Sequence, residues 1–135
     1  MSEQSYVTVA DVMSTNIATI DPTATVLEAV VTMRDAGVSS LVCNRRDPSD
    51  EFGLVVVSDI ARHVVAENRA PERVNVYEVM SKPVLTVAAD MNIRYAVRLL
   101  ARFGLSRALV LDDNRVPAGI VTLRDMVLRH INVED

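Results

Sequence analysis

The sequence predicts an α/β fold in which two β-α-β-β-α units pack with pseudo-twofold symmetry. Three observations carry this: an internal repeat at a fixed shift, the same order of hydrophobic periods in each copy, and glycines at equivalent helix ends. The repeat is found by setting Met13 over Met80, a shift of 67 residues. Val9, Val12, Met13, Ser14, Thr19, Ala29, Val30, Gly37 and Ser39 then meet Val76, Val79, Met80, Ser81, Thr86, Ala96, Val97, Gly104 and Ser106. Unrelated segments of that length share roughly two or three residues. Beyond a variable stretch at residues 45–52 the shift becomes 66, and Gly53, Val55 and Asp59 meet Gly119, Val121 and Asp125. The copies are residues 9–67 and 76–133, joined by a polar linker at 68–75.

Each copy opens on a short extended segment, residues 17–20 or 84–87. Val26, Ala29, Val30 and Met33 follow at i, i+3, i+4 and i+7, one face of a helix. Their counterparts are Ile93, Ala96, Val97 and Leu100. Thr25 and Asn92 suit the N-cap, and Glu28 completes a capping box with Thr25. Gly37 and Gly104 stand where the helices should stop. Strands are expected at 40–43 and 108–111, polar loops next, second strands at 54–57 and 120–123, and closing helices at 59–67 and 125–131. The strands are apolar throughout, which predicts sheets covered on both faces. One such unit is marginal alone, so the two should bury their sheets together and leave a cleft at the axis.

Composition narrows the function. Half of the 135 residues are hydrophobic, only 4% are aromatic, and there is no Trp, so a stacking platform for single-stranded nucleic acid is not expected. The formal charge of −4 lacks the basic excess of a DNA-binding surface, though a few local arginines still suit a small anion. Cys43 is the single cysteine, which precludes an internal disulfide and a Cys/His zinc cluster and fits a reducing cytoplasm. Met1 to Ser5 show no basic and apolar leader, so no secretory signal is expected. Apolar runs such as 54–57 are too short to span a bilayer.

The strongest local motif is Gly119-Ile120-Val121-Thr122-Leu123-Arg124-Asp125. It puts Thr122 and Asp125 at a strand-to-helix junction, where unpaired N–H groups suit phosphate. A carboxylate there can accept from a ribose diol, and a threonine hydroxyl can donate to a sugar or phosphate oxygen. Thr122 three residues before Asp125 is equally a helix cap that needs no ligand. Arg107, beside the expected neighbouring strand, reads either as a phosphate fork or as a solvated surface arginine. His63 and His130 fall at non-equivalent helix positions with no nucleophile motif beside them. Cys43 and Met13, Met33, Met80, Met91 and Met126 read as packing residues. Arg45 and Arg46 with Asp47 and Asp50 read as a solvated loop. Asp112-Asp113-Asn114 is a turn or a weak cation site.

The ordered set resembles the CBS family. The shared features are the doubled Val-Met-Ser lead-in, the Thr19 and Thr86 strands, the Gly37 and Gly104 helix ends, and the Gly-x-x-Thr-x-x-Asp ending. The resemblance covers nearly the whole chain. It implies two clefts that take AMP, ADP, ATP or S-adenosylmethionine as a regulatory ligand, with no required cofactor, no catalytic residue and no metal. Carried over, Asp125 holds the ribose hydroxyls and Thr122 the sugar or phosphate. Arg107 binds phosphate, and Val84, Leu85 and Thr86 line the adenine side, with Ser106 and Arg124 completing the cleft. The second cleft comprises Ile17, Thr19, Ser39, Ser40, Ser58 and Asp59. It departs from the pattern, with Val56 in place of the threonine and Ser40 in place of the arginine, so the Asp125 cleft is expected to bind better.

The resemblance also implies a homodimer, with an unidentified effector protein as a further partner, and neither nucleic acid nor membrane. Three functions compete. The first is a non-catalytic nucleotide sensor. The second is a regulatory fragment or subunit of an enzyme such as an inosine-monophosphate dehydrogenase-like protein, disfavoured because the repeats leave no room for a catalytic barrel. The third is a DNA-binding regulator, disfavoured by the missing basic stripe.

Overall fold

The computed structural model describes residues 6–131. The N-terminal pentapeptide and the last residues of the second repeat, 132–133, lie outside the described residues. Two compact units are present, one formed by residues 16–84 and the other by residues up to 15 together with those from 85 onward.

The unit of residues 16–84 runs β1 (Thr19–Ile20), α1 (Val26–Ala36), β2 (Ser40–Cys43), β3 (Gly53–Val56) and α2 (Val57–Ile60). The second runs β4 (Thr86–Ala88), α3 (Ile93–Phe103), β5 (Arg107–Leu111), β6 (Pro117–Thr122) and α4 (Leu123–His130). Each sheet has three strands in sequence order, the first pair parallel and the second antiparallel. This is the mixed α/β order read from the periods.

The long helices start and stop where their end residues dictate. Thr25 Oγ1 accepts the Glu28 N–H at 3.1 Å, and Glu28 Oε1 accepts the Thr25 N–H at 2.8 Å, a complete capping box. Asn92 Oδ1 accepts the Arg94 N–H at 2.9 Å. Gly37 and Gly104 close both helices at φ of +69° and +65°, a conformation that strains any residue with a Cβ. The helices bury Val26, Ala29 and Met33, or Ile93, Ala96 and Leu100, against the sheets. One core gathers Leu41, Cys43, Val55, Val64 and Val76; the other gathers Val9, Leu100, Val110, Val121 and Met126.

Several expected boundaries need correction. The opening strands shrink to Thr19–Ile20 and Thr86–Ala88. The closing helices begin two residues earlier than expected, at Val57 and Leu123, because the Val57 and Leu123 N–H groups already donate to Ser39 and Ser106 carbonyls at 3.0 and 2.9 Å. The first continues from Ile60 as a π-helical turn, Ala61–Val65. Nor is β6 buried on both faces: Gly119 and Val121 are buried while Ile120 and Thr122 are half-buried, the alternation of a strand with one face on the core.

The compact units also cut across the sequence repeats. The lead-in to the first repeat packs on the body of the second. Val7 O accepts the first N–H of α3 at 2.9 Å, the Val9 N–H donates to Met91 O, and Ser14 exchanges two backbone bonds with Ile120. The lead-in to the second repeat does the same for the first: Val74 O accepts the first N–H of α1 at 2.8 Å, and Ser81 exchanges two bonds with Leu54. Each lead-in thus satisfies a helix terminus and pairs part of an edge strand that would otherwise expose unpaired groups. The Val-Met-Ser motif also covers a glycine. A Cβ on Gly119 would lie 2.6 Å from Ser14 O and 2.7 Å from Met13 Sδ; one on Gly53 would lie 3.1 Å from Ser81 O and 2.9 Å from Met80 Sδ.

The loop between β2 and β3 is built around a carboxylate. Asp50 accepts from the Arg46 N–H at 3.0 Å and from Lys82 Nζ at 2.9 Å. The Arg46 N–H bond, then Lys82, then the Glu51 N–H hold Asp50 far below the ordinary carboxylate range. A carboxyl depressed on folding stabilises the fold above its unfolded value, about pH 4, and that contribution fades as pH falls toward the folded value. The stability gap between the wild type and Asp50→Asn should therefore shrink as urea unfolding is repeated at successively lower pH below about 4. A gap that stays constant on acidification would contradict this account of the loop.

Candidate functional site

The expected nucleotide residues gather at one end of the second sheet. Arg107 opens β5 and Thr122 closes β6, and the two are direct cross-strand partners. Directly opposed residues of an antiparallel pair share a face, with Cα atoms roughly 4.5–5.5 Å apart. Thr86 opens β4 and pairs with Leu109, whose N–H donates to Leu85 O at 3.0 Å, so the start of β4 lies at the same end. Ser106 O accepts the Leu123 N–H at 2.9 Å, which fixes the turn into α4 beside the start of β5. Val84 belongs to the unit of residues 16–84, where its N–H donates to Phe52 O at 3.2 Å.

Thr122 is the N-cap of α4, its Oγ1 accepting the Asp125 N–H at 3.1 Å. The capping reading is therefore correct, and it leaves the hydroxyl proton to donate elsewhere. Asp125 sits in the first turn, with Oδ1 3.1 Å from Arg124 Nη1 and the side chain 42% exposed. The helix terminus favours a carboxylate at that position. Arg107, Thr122 and Asp125 thus place a cation, a hydroxyl and an anion around one sheet end, a donor and acceptor set suited to a phosphorylated or hydroxylated ligand.

The first unit repeats the plan with different chemistry. Ser40 opens β2 opposite Val56, and Ser39 O accepts the Val57 N–H. These are the positions of Arg107, Thr122, Ser106 and Leu123, so the alignment of the two copies holds hydrogen bond for hydrogen bond. Thr19 opens β1 and Ile17 precedes it. Ser58 is exposed in the first turn of α2, where Val56 offers no side-chain cap. Asp59 is more enclosed than Asp125, with a 16% exposed side chain and Oδ1 3.1 Å from Arg62 Nη2. It lines a polar hollow of about 450 Å³ with His63, Glu67, Arg69, Glu78 and Ser81. Sequence reading missed this company. It set His63 aside for want of a nucleophile motif beside it, and Arg69 and Glu78, which pair at 3.0 Å, carry no local motif.

Residues read as packing or surface groups behave accordingly. His63 and His130 are exposed, Met126 is fully buried, and Asp112 Oδ1 accepts the Asn114 and Val116 N–H groups as a turn. Among the described residues no cluster of His, Cys, Asp and Glu could hold a metal ion, and no helix is long and apolar enough to cross a membrane. Cys43 is fully buried on β2, and desolvation pushes its thiol up to about 12 despite the nearby Lys82 charge and the Val55 N–H bond. Thiol reagents at pH near 8 should therefore label the protein only after unfolding, because the thiolate is the reacting form. Rapid labelling of folded protein would contradict that burial.

Comparison with known proteins agrees with this doubled architecture. The CBS domain model matches residues 9–66 and again 76–130. An uncharacterized protein of Methanopyrus kandleri is 34% identical over 122 residues, which cover 90% of this chain and 61% of that protein. The chain therefore spans about three-fifths of the length of that relative. The hexameric CBS-CP12 protein from bloom-forming cyanobacteria superposes with a TM-score of 0.86 at 30% identity, over 92% of this chain and 71% of that one. The CBS domain of the bacterial CNNM/CorC family Mg2+ transporter, solved in complex with ATP, shares the fold with a TM-score of 0.74 at 21% identity, over 95% and 89%. The family model accounts for both halves of the chain, and the protein belongs to the CBS domain family as a tandem pair.

Proposed function

We propose that this CBS pair is a non-catalytic regulatory module that binds an adenosine-type ligand, AMP, ADP, ATP or S-adenosylmethionine, and signals through a second protein surface. The observation that carries the reading is the register of Arg107 opposite Thr122 with Asp125 one turn away. Asp125 takes the ribose hydroxyls, Thr122 and Arg107 the phosphate side, and the backbone at Leu85 and Thr86 the adenine edge. Ser106 and Arg124 complete the cleft. The Asp59 cleft, with Ile17, Thr19, Ser39, Ser40 and Ser58, lacks the cation and the threonine, so it binds phosphorylated ligands less well. The ATP complex of the CNNM/CorC domain supports the capacity of the fold for such ligands. A ligand shifts the module only through different affinities for two states. The surface that reads the shift is a second copy, as a homodimer, or an effector protein, and the setting is the cytoplasm.

Calorimetric titration of the purified chain with the four ligands and with plain adenosine tests the reading. Heat at the Asp125 cleft with at least one of them is expected, and silence with all five would end the proposal. Arg107→Ala should weaken phosphorylated ligands by about tenfold, the loss of a hydrogen bond to a charged group. It should leave adenosine nearly unchanged. Equal losses for both would remove Arg107 from the phosphate role.

A further inference from the structure

The chain passes from one compact unit to the other at the Val84–Leu85 peptide bond. Before that bond, each residue is restrained by the β2–β3 hairpin or by its own ring. Ser81 exchanges two backbone bonds with Leu54, at 2.8 and 2.9 Å. Lys82 Nζ lies 2.9 Å from Asp50 Oδ1 and 3.1 Å from Oδ2, and the two side chains are only 29% and 10% exposed. The ring of Pro83 fixes its φ. The Val84 N–H donates to Phe52 O at 3.2 Å. After the bond, Leu85 O accepts the Leu109 N–H at 3.0 Å, and Thr86 begins β4. Residues 81–85 are thus held one after another up to the strand that takes the adenine edge in the proposed function.

The shared plan of the two repeats does not require the ion pair. Docking a lead-in on a strand edge needs the serine bonds, and the first repeat makes those same bonds between Ser14 and Ile120. Thr15 stands there at the position of Lys82, so no cation follows the serine. The carboxylate of the matching β5–β6 turn serves the turn itself, with Asp112 Oδ1 accepting the Asn114 and Val116 N–H groups at 2.8 and 3.0 Å. The Asp50–Lys82 pair is an addition to the plan, placed on the lead-in that runs into the strand of the Asp125 cleft. That strand, β4, is the edge of its sheet. Leu85 O points at β5, so the alternation of an extended chain turns the Thr86 N–H and C=O the other way. An outward N–H and C=O match the N1 acceptor and N6 donor of adenine, whereas hypoxanthine reverses both. Such recognition depends on where the backbone stands.

We infer that Asp50, acting through Lys82, is a positioning residue for the adenine side of the Asp125 cleft. The pair removes freedom from the segment before binding, so less ordering entropy is lost when the base meets β4. In this role neither side chain touches the ligand; together they set the place from which Thr86 meets it. The inference rests on the adenosine reading above and adds to it a source of base selectivity.

Titration with matched nucleotides tests the role: AMP against IMP, and ATP against ITP, on the wild type, Asp50→Asn, Lys82→Met and the double variant. The wild type should prefer the adenine member of each pair. Asp50→Asn and Lys82→Met should each weaken the adenine nucleotide by about three- to tenfold and leave the hypoxanthine nucleotide nearly unchanged. The double variant should be no worse than either single variant, because both remove one device. Without ligand, amide exchange at Val84 should quicken in all three variants. Asparagine keeps an oxygen for the Arg46 N–H, and Lys82 is partly exposed, so the pair can be broken from either side with the loop intact. Equal weakening of both members of a pair would make Lys82 a phosphate contact, or the ion pair a general stabiliser, and would overturn the role. Unchanged adenine affinity, or losses that add in the double variant, would overturn it while the cleft reading stands. Silence of the wild type with every nucleotide, or equal affinity for adenine and hypoxanthine, would instead remove the adenine reading on which the role depends.

Discussion

Alanine at Gly119 should cost the protein about 1–3 kcal/mol of stability, the range for forcing a methyl into a filled space. The added Cβ meets the Ser14 carbonyl at 2.6 Å and the Met13 thioether at 2.7 Å. The carbonyl cannot swing aside, because the Ser14 N–H donates to Ile120 O at 2.9 Å and Ser14 O accepts from Ile120 N at 3.0 Å. The lead-in must lift from β6 as a whole, and Val9, fully buried a turn earlier, resists that movement. Gly53→Ala should cost less. Its Cβ meets Ser81 O at 3.1 Å, and its closest contact, 2.9 Å, is the flexible end of Met80. Shortening the methionine separates the two cases: Met80→Ala should relieve most of the Gly53→Ala loss, whereas Met13→Ala should relieve only part of the Gly119→Ala loss, because the Ser14 carbonyl at 2.6 Å stays in place. Urea unfolding of the four single and two double variants measures this. Equal costs at Gly53 and Gly119 would refute the lead-in account.

Replacing Asp125 with alanine should weaken an adenosine-type ligand by about 1.5–3 kcal/mol, the scale of hydrogen bonds to a charged group. That is roughly a 10- to 150-fold rise in Kd. The fold should survive, because the Arg124–Asp125 pair is largely exposed, 78% and 42%, and such pairs contribute little. The Thr122 cap accepts a backbone N–H that alanine keeps. Asp59→Ala should change binding less. Its neighbours Val56 and Ser40 supply neither the threonine hydroxyl nor the guanidinium, and its carboxylate is already held by Arg62 in a more enclosed position. Unchanged affinity in Asp125→Ala would remove the ribose contact. A larger loss in Asp59→Ala would reverse the ranking of the two clefts.

Much of the local structure was legible before any coordinates. Thr25 with Glu28, Asn92, Gly37 and Gly104 marked the limits of the long helices, because capping and left-handed termination depend on single residue types close in sequence. The equivalence of Ser40 with Arg107 and of Val56 with Thr122 was also legible, since a repeat at constant shift preserves strand register. The Thr122 cap and the turn at Asp112 followed from short-range side-chain bonds. The ends of short strands were not legible. Two or three residues carry no period, and the Val57 and Leu123 N–H groups had already turned toward the preceding serine carbonyls.

Sequence alone determined that the chain is a doubled β-α-β-β-α unit with a polar and charged set at each strand-to-helix junction, because repetition, periodicity and capping are encoded over a few residues. Tertiary structure decided where the lead-ins dock, why Met13 and Met80 sit on Gly119 and Gly53, and how Glu78 and Ser81 reach the hollow beside Asp59. Those contacts join residues far apart in the chain, and their energy lies in close packing and paired edge strands, which no local pattern of residue types records.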